Sequence, residues 1–400
     1  MKIIESKKAG ILEVAIVTLF LLILMPSVVK SIIIAIVSLL IITYCLLKKN
    51  KINVKFIFTS SIFFLFIFLT LSYSKNINFG VTKISTMASL FVMPFVFSFL
   101  NKNDVISIFK YEKLYLWFFI VAVSVFNLIP FLWYLITQDT ISEMIRNYPR
   151  SIMIDYGKYS IHPIYLSMHT CIGIIFAIKL FIKEKCKLNK FLLVFLTALL
   201  AFFIIVLAKK GPIVALLIAL AIWSFVASKN YFKSIIIILL SISFLVILPK
   251  TKNKFKELLT LKKIENSTTL TSSNIRFTLL FDGFELFKEA PVLGYGIGDY
   301  NDELNKKSES RDKFFIGKNY NVHNQYLSFL LIGGLPLICL FLYFYYAKIA
   351  NALMTNNYLL VTIIVFYGVA MLFENILERE NGVIFFAFFI NFFSLKNAQE

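Results

Sequence analysis

FLLVFLTALLAFFIIVLAKKGPIVALLIALAIWSFVAS, residues 191–228, is a pair of apolar runs joined at Lys209-Lys210-Gly211-Pro212. Each run is long enough to cross a hydrocarbon core of about 30 Å as a helix. The same pattern extends in both directions. About twelve apolar spans follow one another, near 10–25, 28–47, 54–73, 80–100, 114–136, 160–182, 190–208, 211–228, 232–249, 324–347, 357–374 and 382–395. The sequence therefore predicts an all-α polytopic membrane protein. Its expected divisions are 1–249 (nine spans), 250–323 (one long extracytoplasmic loop containing an amphipathic helix) and 324–400 (three spans).

Composition agrees. The 400 residues are 59% hydrophobic, with a mean hydropathy of +0.81, and a soluble domain has nowhere to put that much apolar surface. The net charge of +19 does not point to nucleic acid, because the lysines sit in short tufts between spans, as topology signals do. With the N-terminus in the cytoplasm, the inner loops hold Lys48, Lys49, Lys51 and Lys55, then Lys102, Lys110 and Lys113. Next come Lys183, Lys185, Lys187 and Lys190, then Lys229 and Lys233. This positive-inside pattern places 137–159 and 250–323 outside. The first run, 11–25, has no small-residue cleavage site after it and is expected to be a retained helix. None of Cys45, Cys171, Cys186 and Cys339 lies in the long polar segment, so no structural disulfide is expected.

Only five of the 41 basic residues are arginine: Arg146, Arg150, Arg276, Arg311 and Arg379. In the expected topology all five lie outside. Lysine suffices as a topology charge, whereas the planar arginine fork suits phosphate. The alternative is interface anchoring. Within 250–323, Ser273 or Asn274 is expected to cap a helix running to about Ala290. Phe277, Leu280, Phe281, Phe284 and Phe287 fall on one face, and Thr278, Asp282, Glu285 and Glu289 on the other. Such a helix lies on the membrane or on the bundle. Arg276, in the first turn, opposes the helix dipole unless an anion binds there. Pro291 ends the helix, Gly294, Gly296 and Gly298 permit tight turns, and 299–321 reads as a mobile loop.

Among three histidines, His323 stands at the mouth of the tenth span beside Asn324 and can take a proton near neutral pH; the plainer role is a hydrogen-bonded boundary residue. Lys210, with Lys209, is either an anion clamp or one of two snorkelling lysines at a helix end. His162 and His169 share a helix face just after the loop bearing Arg146 and Arg150. Glu374, Glu378 and Arg379 can pair with one another, or Glu374 can orient a basic group. The sequence has no HExxH, no Cys/His cluster and no Walker A motif, so no metal and no cofactor are expected, and the energy must come from the substrate.

Taken in order, these pieces resemble the O-antigen ligase and polymerase superfamily. The resemblance rests on the Lys-Gly-Pro corner, Asn274-x-Arg276, Pro291-x-x-Gly294-x-Gly296-x-Gly298, His323-Asn324-x-Tyr326-Leu327 and Gly333-Gly334, and spans about 205–390. It implies glycan transfer from undecaprenyl diphosphate to an acceptor hydroxyl, without a metal, at the periplasmic face of a bacterial inner membrane. The acceptor would be lipid A-core for a ligase, or another lipid-linked glycan for a polymerase. His323 then matches the base and Arg276 a diphosphate-binding arginine. Lys210, Asn324, Arg146, Arg150, His162, Gly294 and Glu374 are the expected substrate-binding residues. At the corner the family has Arg-Gly and this chain Lys210-Gly211, keeping the charge and losing the fork. A flippase or exporter of lipid-linked sugars is the rival outside this chemistry; it would show a pseudo-repeat and would not need an interfacial base. A transferase acting on protein hydroxyls would call for a large outer domain, which this chain lacks.

Overall fold

The computed structural model describes residues 2–137, 140–228 and 271–396. Regular structure there is entirely helical. The first eight helices are α1 (Lys2–Phe20), α2 (Ser27–Leu47), α3 (Val54–Thr70), α4 (Ile77–Met87), α5 (Ser89–Phe97), α6 (Lys102–Phe109), α7 (Glu112–Thr137) and α8 (Ile141–Ile154). They are followed by α9 (Pro163–Lys183), α10 (Lys187–Leu207), α11 (Lys210–Ser228), α12 (Ser272–Glu289), α13 (Tyr300–Arg311), α14 (Gln325–Met354), α15 (Tyr358–Ala370) and α16 (Glu380–Ser394).

Among the described residues, 8 helices are long and apolar enough to cross a membrane, with α4 and α5 forming one span over Ile77–Phe97. The expected spans at 10–25, 357–374 and 382–395 correspond to shorter apolar helices, Gly10–Phe20, Tyr358–Ala370 and Glu380–Ser394. The expected span 232–249 lies outside the described residues, as does the first part of the polar segment. The brevity of α16 has a physical reason. Every residue from Gly382 to Ser394 is buried, so the helix faces protein on all sides and need not match a bilayer's thickness. Phe388, Phe389 and Phe392 of α16 meet Phe20 of α1, and Phe389 meets Phe176 of α9. Apolar side chains such as Ile32, Leu39, Phe68, Ile136 and Phe195 are exposed on the outer faces of the bundle, as a lipid-facing surface requires.

Asparagine caps recur at the starts of apolar helices. The side chains of Asn53, Asn76, Asn324 and Asn357 each accept a backbone N–H three residues on. Each satisfies one amide that the first turn leaves without an intrahelical partner.

Helix α14 carries the most consequential irregularity. Gly333 and Gly334 leave helical geometry, Gly334 with φ +62°. The Pro291–Gly298 turn fits into this kink. Tyr295 N–H donates to Leu331 O at 2.7 Å, Gly296 N–H to Ile332 O at 2.9 Å and Leu335 N–H to Pro291 O at 3.0 Å. A Cβ on Gly334 would stand 2.1 Å from Val292 O, and one on Gly294 2.4 Å from Leu331 O. Only glycine allows the two backbones to approach so closely. Gly294 therefore serves this packing, away from the cavity described below.

The polar segment is more ordered than its composition suggests. Thr271, rather than Ser273 or Asn274, caps α12. The stretch 299–321, expected as a mobile loop, contains α13. Its Tyr300 and Leu304 are buried, and Arg311 donates to Asp282 at 2.6 Å and to Glu285 at 3.0 Å on α12. Arg311 is thus a strut between two helices, with its fork spent on carboxylates. The polar side of α12 packs on protein, with Asn274, Thr278 and Asp282 buried, while Leu280 and Phe284 point outward.

Glu378, in the hairpin between α15 and α16, is the main polar junction. Its carboxylate accepts from Tyr300 and Ser328 hydroxyls and from Asn375 Nδ2 at 2.7 Å, and pairs with Lys83 at 3.2 Å. Burial pushes the carboxyl up, but Lys83 and the Ser328, Tyr300 and Asn375 donors outweigh it and hold it below its usual value. Replacing Glu378 by Ala strands a lysine and several donors. The expected loss is about 3–5 kcal/mol, read as a lower melting temperature of the full chain in detergent. Glu378→Gln, which keeps an acceptor for the hydroxyls, should lose less. An unchanged melting temperature in Glu378→Ala would contradict this role.

Candidate active site

A cavity of about 480 Å³ opens at the end of the bundle that carries α12 and α13. His162, Arg276, His323, Glu374 and Arg379 all line it. These residues come from the start of α9, the first turn of α12, the residue pair before α14 and the α15–α16 hairpin.

Local chemistry sets His323. Its φ of +51° is a left-handed conformation seldom adopted outside glycine, and its N–H donates to Asn321 Oδ1 at 3.1 Å. The next residue, Asn324, returns to an extended φ and caps α14 through Leu327 N–H at 3.0 Å, while its Nδ2 donates to Leu372 O at 3.4 Å. Gln325 N–H donates to Met371 O at 2.9 Å. Asn324 is therefore occupied in tying the mouth of α14 to the hairpin and does not itself line the cavity.

The hairpin then brings Glu374 to the histidine. Nδ1 of His323 lies 3.3 Å from both carboxylate oxygens. Arg276 approaches the same carboxylate at 3.6 Å, and its Nη1 donates to Phe373 O at 3.4 Å. Burial raises the Glu374 carboxyl, but the His323 hydrogen bond and the charges of His323, Arg276 and His162 prevail, leaving it below its ordinary value. A carboxylate on Nδ1 favours the tautomer with its proton there, which leaves Nε2 as the basic nitrogen. His162 caps α9, its Nδ1 accepting Ile164 N–H at 3.3 Å. Desolvation lowers its pKa; Glu374 opposes the fall, and Lys209, Arg276 and Arg379 reinforce it, so the ring is neutral at pH 7.

The other expected residues lie elsewhere. Arg146 and Arg150 are exposed on α8 and do not line the cavity. The Lys-Gly-Pro corner abuts the hairpin, since a Cβ on Gly211 would meet Phe373 Cβ at 2.9 Å. Neither of its lysines lines the cavity, and Lys209 lies within electrostatic reach of His162. Sequence reasoning gave Tyr165, Thr86, Asn321, Glu380 and Asn381 no place in the site, yet all line the cavity, as does Arg379, which it singled out only among the outer arginines. The polar tetrad Glu378–Asn381 immediately before an apolar run was the available signal.

Residues 194–342 carry the O-antigen ligase family domain. The match takes in α11, α12 and α13, and with them Lys210, Arg276 and His323. Glu374 and Arg379 lie beyond it. No curated protein matches the chain. The apolar helices are those of a multi-pass membrane protein, and its residues 194–342 are similar to the O-antigen ligase family.

Because the Glu374 pKa is depressed in the folded chain, its contribution is complete above the unfolded carboxylate value. It is lost as pH falls through the folded one. Thermal stability of the wild type should therefore fall more steeply on acidification below that range than stability of Glu374→Gln. Superimposable melting-temperature profiles for the two would contradict the pairing.

Proposed function

We propose that the chain is an O-antigen ligase that moves a glycan from undecaprenyl diphosphate to a hydroxyl of lipid A-core, at the periplasmic face of a bacterial inner membrane. The observation that carries this reading is His323 Nδ1 held against both oxygens of Glu374, with Arg276 on the same carboxylate, inside one cavity. Nε2 of His323 takes the proton from the acceptor hydroxyl as its oxygen attacks the anomeric carbon. The bond from that carbon to the phosphate oxygen breaks, and undecaprenyl diphosphate departs with both electrons. Arg276 compensates the charge that grows on the leaving phosphate. A single displacement from the opposite face inverts the anomeric centre and needs no covalent intermediate. Glu374 stabilises the imidazolium formed in the step. The proposed chemistry is metal-independent, and the isoprenoid tail lies among the helices in lipid. Within this scheme Lys210 and Lys209 supply positive potential near the site, Asn324 ties α14 to the hairpin, and Gly294 packs against the α14 kink.

Glycan profiles of a deletion strain test the acceptor. Loss of all long chains with accumulation of lipid-linked polymer is expected of a ligase. A single repeat on lipid A-core would instead indicate a polymerase using the same donor.

His323→Ala should leave expression and membrane insertion intact and lower transfer by about 10²–10⁴-fold, the usual worth of a positioned base. Near-normal transfer at equal expression would remove His323 from that role. Arg276→Lys should also impair transfer, because an ammonium keeps the charge but cannot make a two-pronged phosphate contact. Wild-type donor affinity in this variant would reduce Arg276 to an anchor for α12.

A further inference from the structure

Three carboxylates line the cavity, and each has a cation of its own. Glu378 is paired with Lys83 at 3.2 Å, and Glu374 lies 3.6 Å from Arg276. Glu380 lies within electrostatic reach of buried Lys30, whose ammonium also donates to Asn381 Oδ1. Arg379 is left over. It lines the cavity, and among the described residues its guanidinium has no hydrogen bond or ion pair. Its backbone carbonyl is engaged, accepting from Gly382 and Val383 N–H at 2.9 Å each, so the residue is anchored while its fork stays free.

An independent observation points the same way. Tyr165 lines the same cavity, is 5% exposed, and has a buried hydroxyl without a hydrogen-bond partner. A buried O–H is normally satisfied, and one that is not marks a place where something else supplies the acceptor. Arg379 acts electrostatically on that hydroxyl, as do Glu374 and Glu378. A free planar fork and an unsatisfied O–H that line one cavity are a donor set for phosphate oxygens. Arg276, by contrast, already has Glu374 and Phe373 O within reach.

We propose that Arg379 and Tyr165 together hold one phosphate of the lipid-linked donor, so that the α15–α16 hairpin grips the diphosphate along with Arg276. This rests on the donor reading given above. Arg379 supplies charge and two parallel donors, and Tyr165 a neutral donor from the start of α9. Their role is to bind and orient the leaving group, leaving His323 and Glu374 to the acceptor hydroxyl.

Binding of undecaprenyl diphosphate to the full chain in detergent tests this without knowledge of the sugar, with undecaprenol and inorganic pyrophosphate as comparison probes. Arg379→Gln should weaken undecaprenyl diphosphate binding by about ten-fold or more, and Tyr165→Phe by roughly three-fold, as expected for one charge-assisted and one neutral hydrogen bond. Arg379→Lys should recover only part of the loss. Undecaprenol binding should be the same in all variants, and pyrophosphate should show the same order of loss as the lipid. Wild-type affinity in both Arg379→Gln and Tyr165→Phe, alongside tight binding by the wild type, would overturn this inference alone. Equal loss of undecaprenol binding would overturn it too, by showing a damaged lipid groove. A wild-type chain that does not distinguish undecaprenyl diphosphate from undecaprenol would overturn the donor reading, and this inference with it.

Discussion

The carboxylate of Glu378 is the constraint on which the site depends. It draws Lys83 from α4, Tyr300 from α13, Ser328 from α14 and Asn375 from its own hairpin onto two oxygens. A charge enclosed among helices is tolerated only when its lone pairs are filled, and filling them fixes the positions of every donor. Gln325 extends the arrangement, its Oε1 accepting Leu377 N–H at 2.8 Å. Four residues earlier in the same hairpin stands Glu374. The geometry around His323 is therefore inherited from a junction that does not itself touch the reacting atoms.

A second, purely backbone device braces α14. The Pro291–Gly298 turn supplies the hydrogen bonds that the Gly333–Gly334 kink takes from α14. The bent helix and the turn complete each other, and the first turns of α14 stay fixed relative to α12 and α13. Asn324 finishes the task by capping the helix on whose threshold the histidine sits. Sites built on such rigid ends are more exact than sites on free loops.

Much of this was legible from sequence because the bilayer writes in composition. Apolar runs and lysine tufts follow from a solvent that rejects charge, so most spans were visible. His323 and Arg276 stood out because histidine and arginine are scarce in this chain, and both line the cavity. Glu374 was legible as a partner for a basic group, though not for which one. What escaped were the choices made by distant partners. The helicity of 300–311 depends on Tyr300 reaching Glu378 and Arg311 reaching Asp282, and neither contact has a local signature. The same blindness left Arg379 as one of five outer arginines, with nothing local to say that it lines the cavity.

The order of synthesis gives the C-terminal hairpin a further meaning. Glu374, Glu378 and Arg379 arrive after α4, α13 and α14, which Glu378 draws together, with Lys83 made almost 300 residues earlier, at a sequence separation of 295. Until that hairpin inserts, Lys83, Tyr300 and Ser328 have no common acceptor, and His323 has no carboxylate beside it. The cavity is thus assembled in time as well as in space. A chain still emerging from the ribosome holds the frame of the cavity but not its charged lining, and the two come together in one late step.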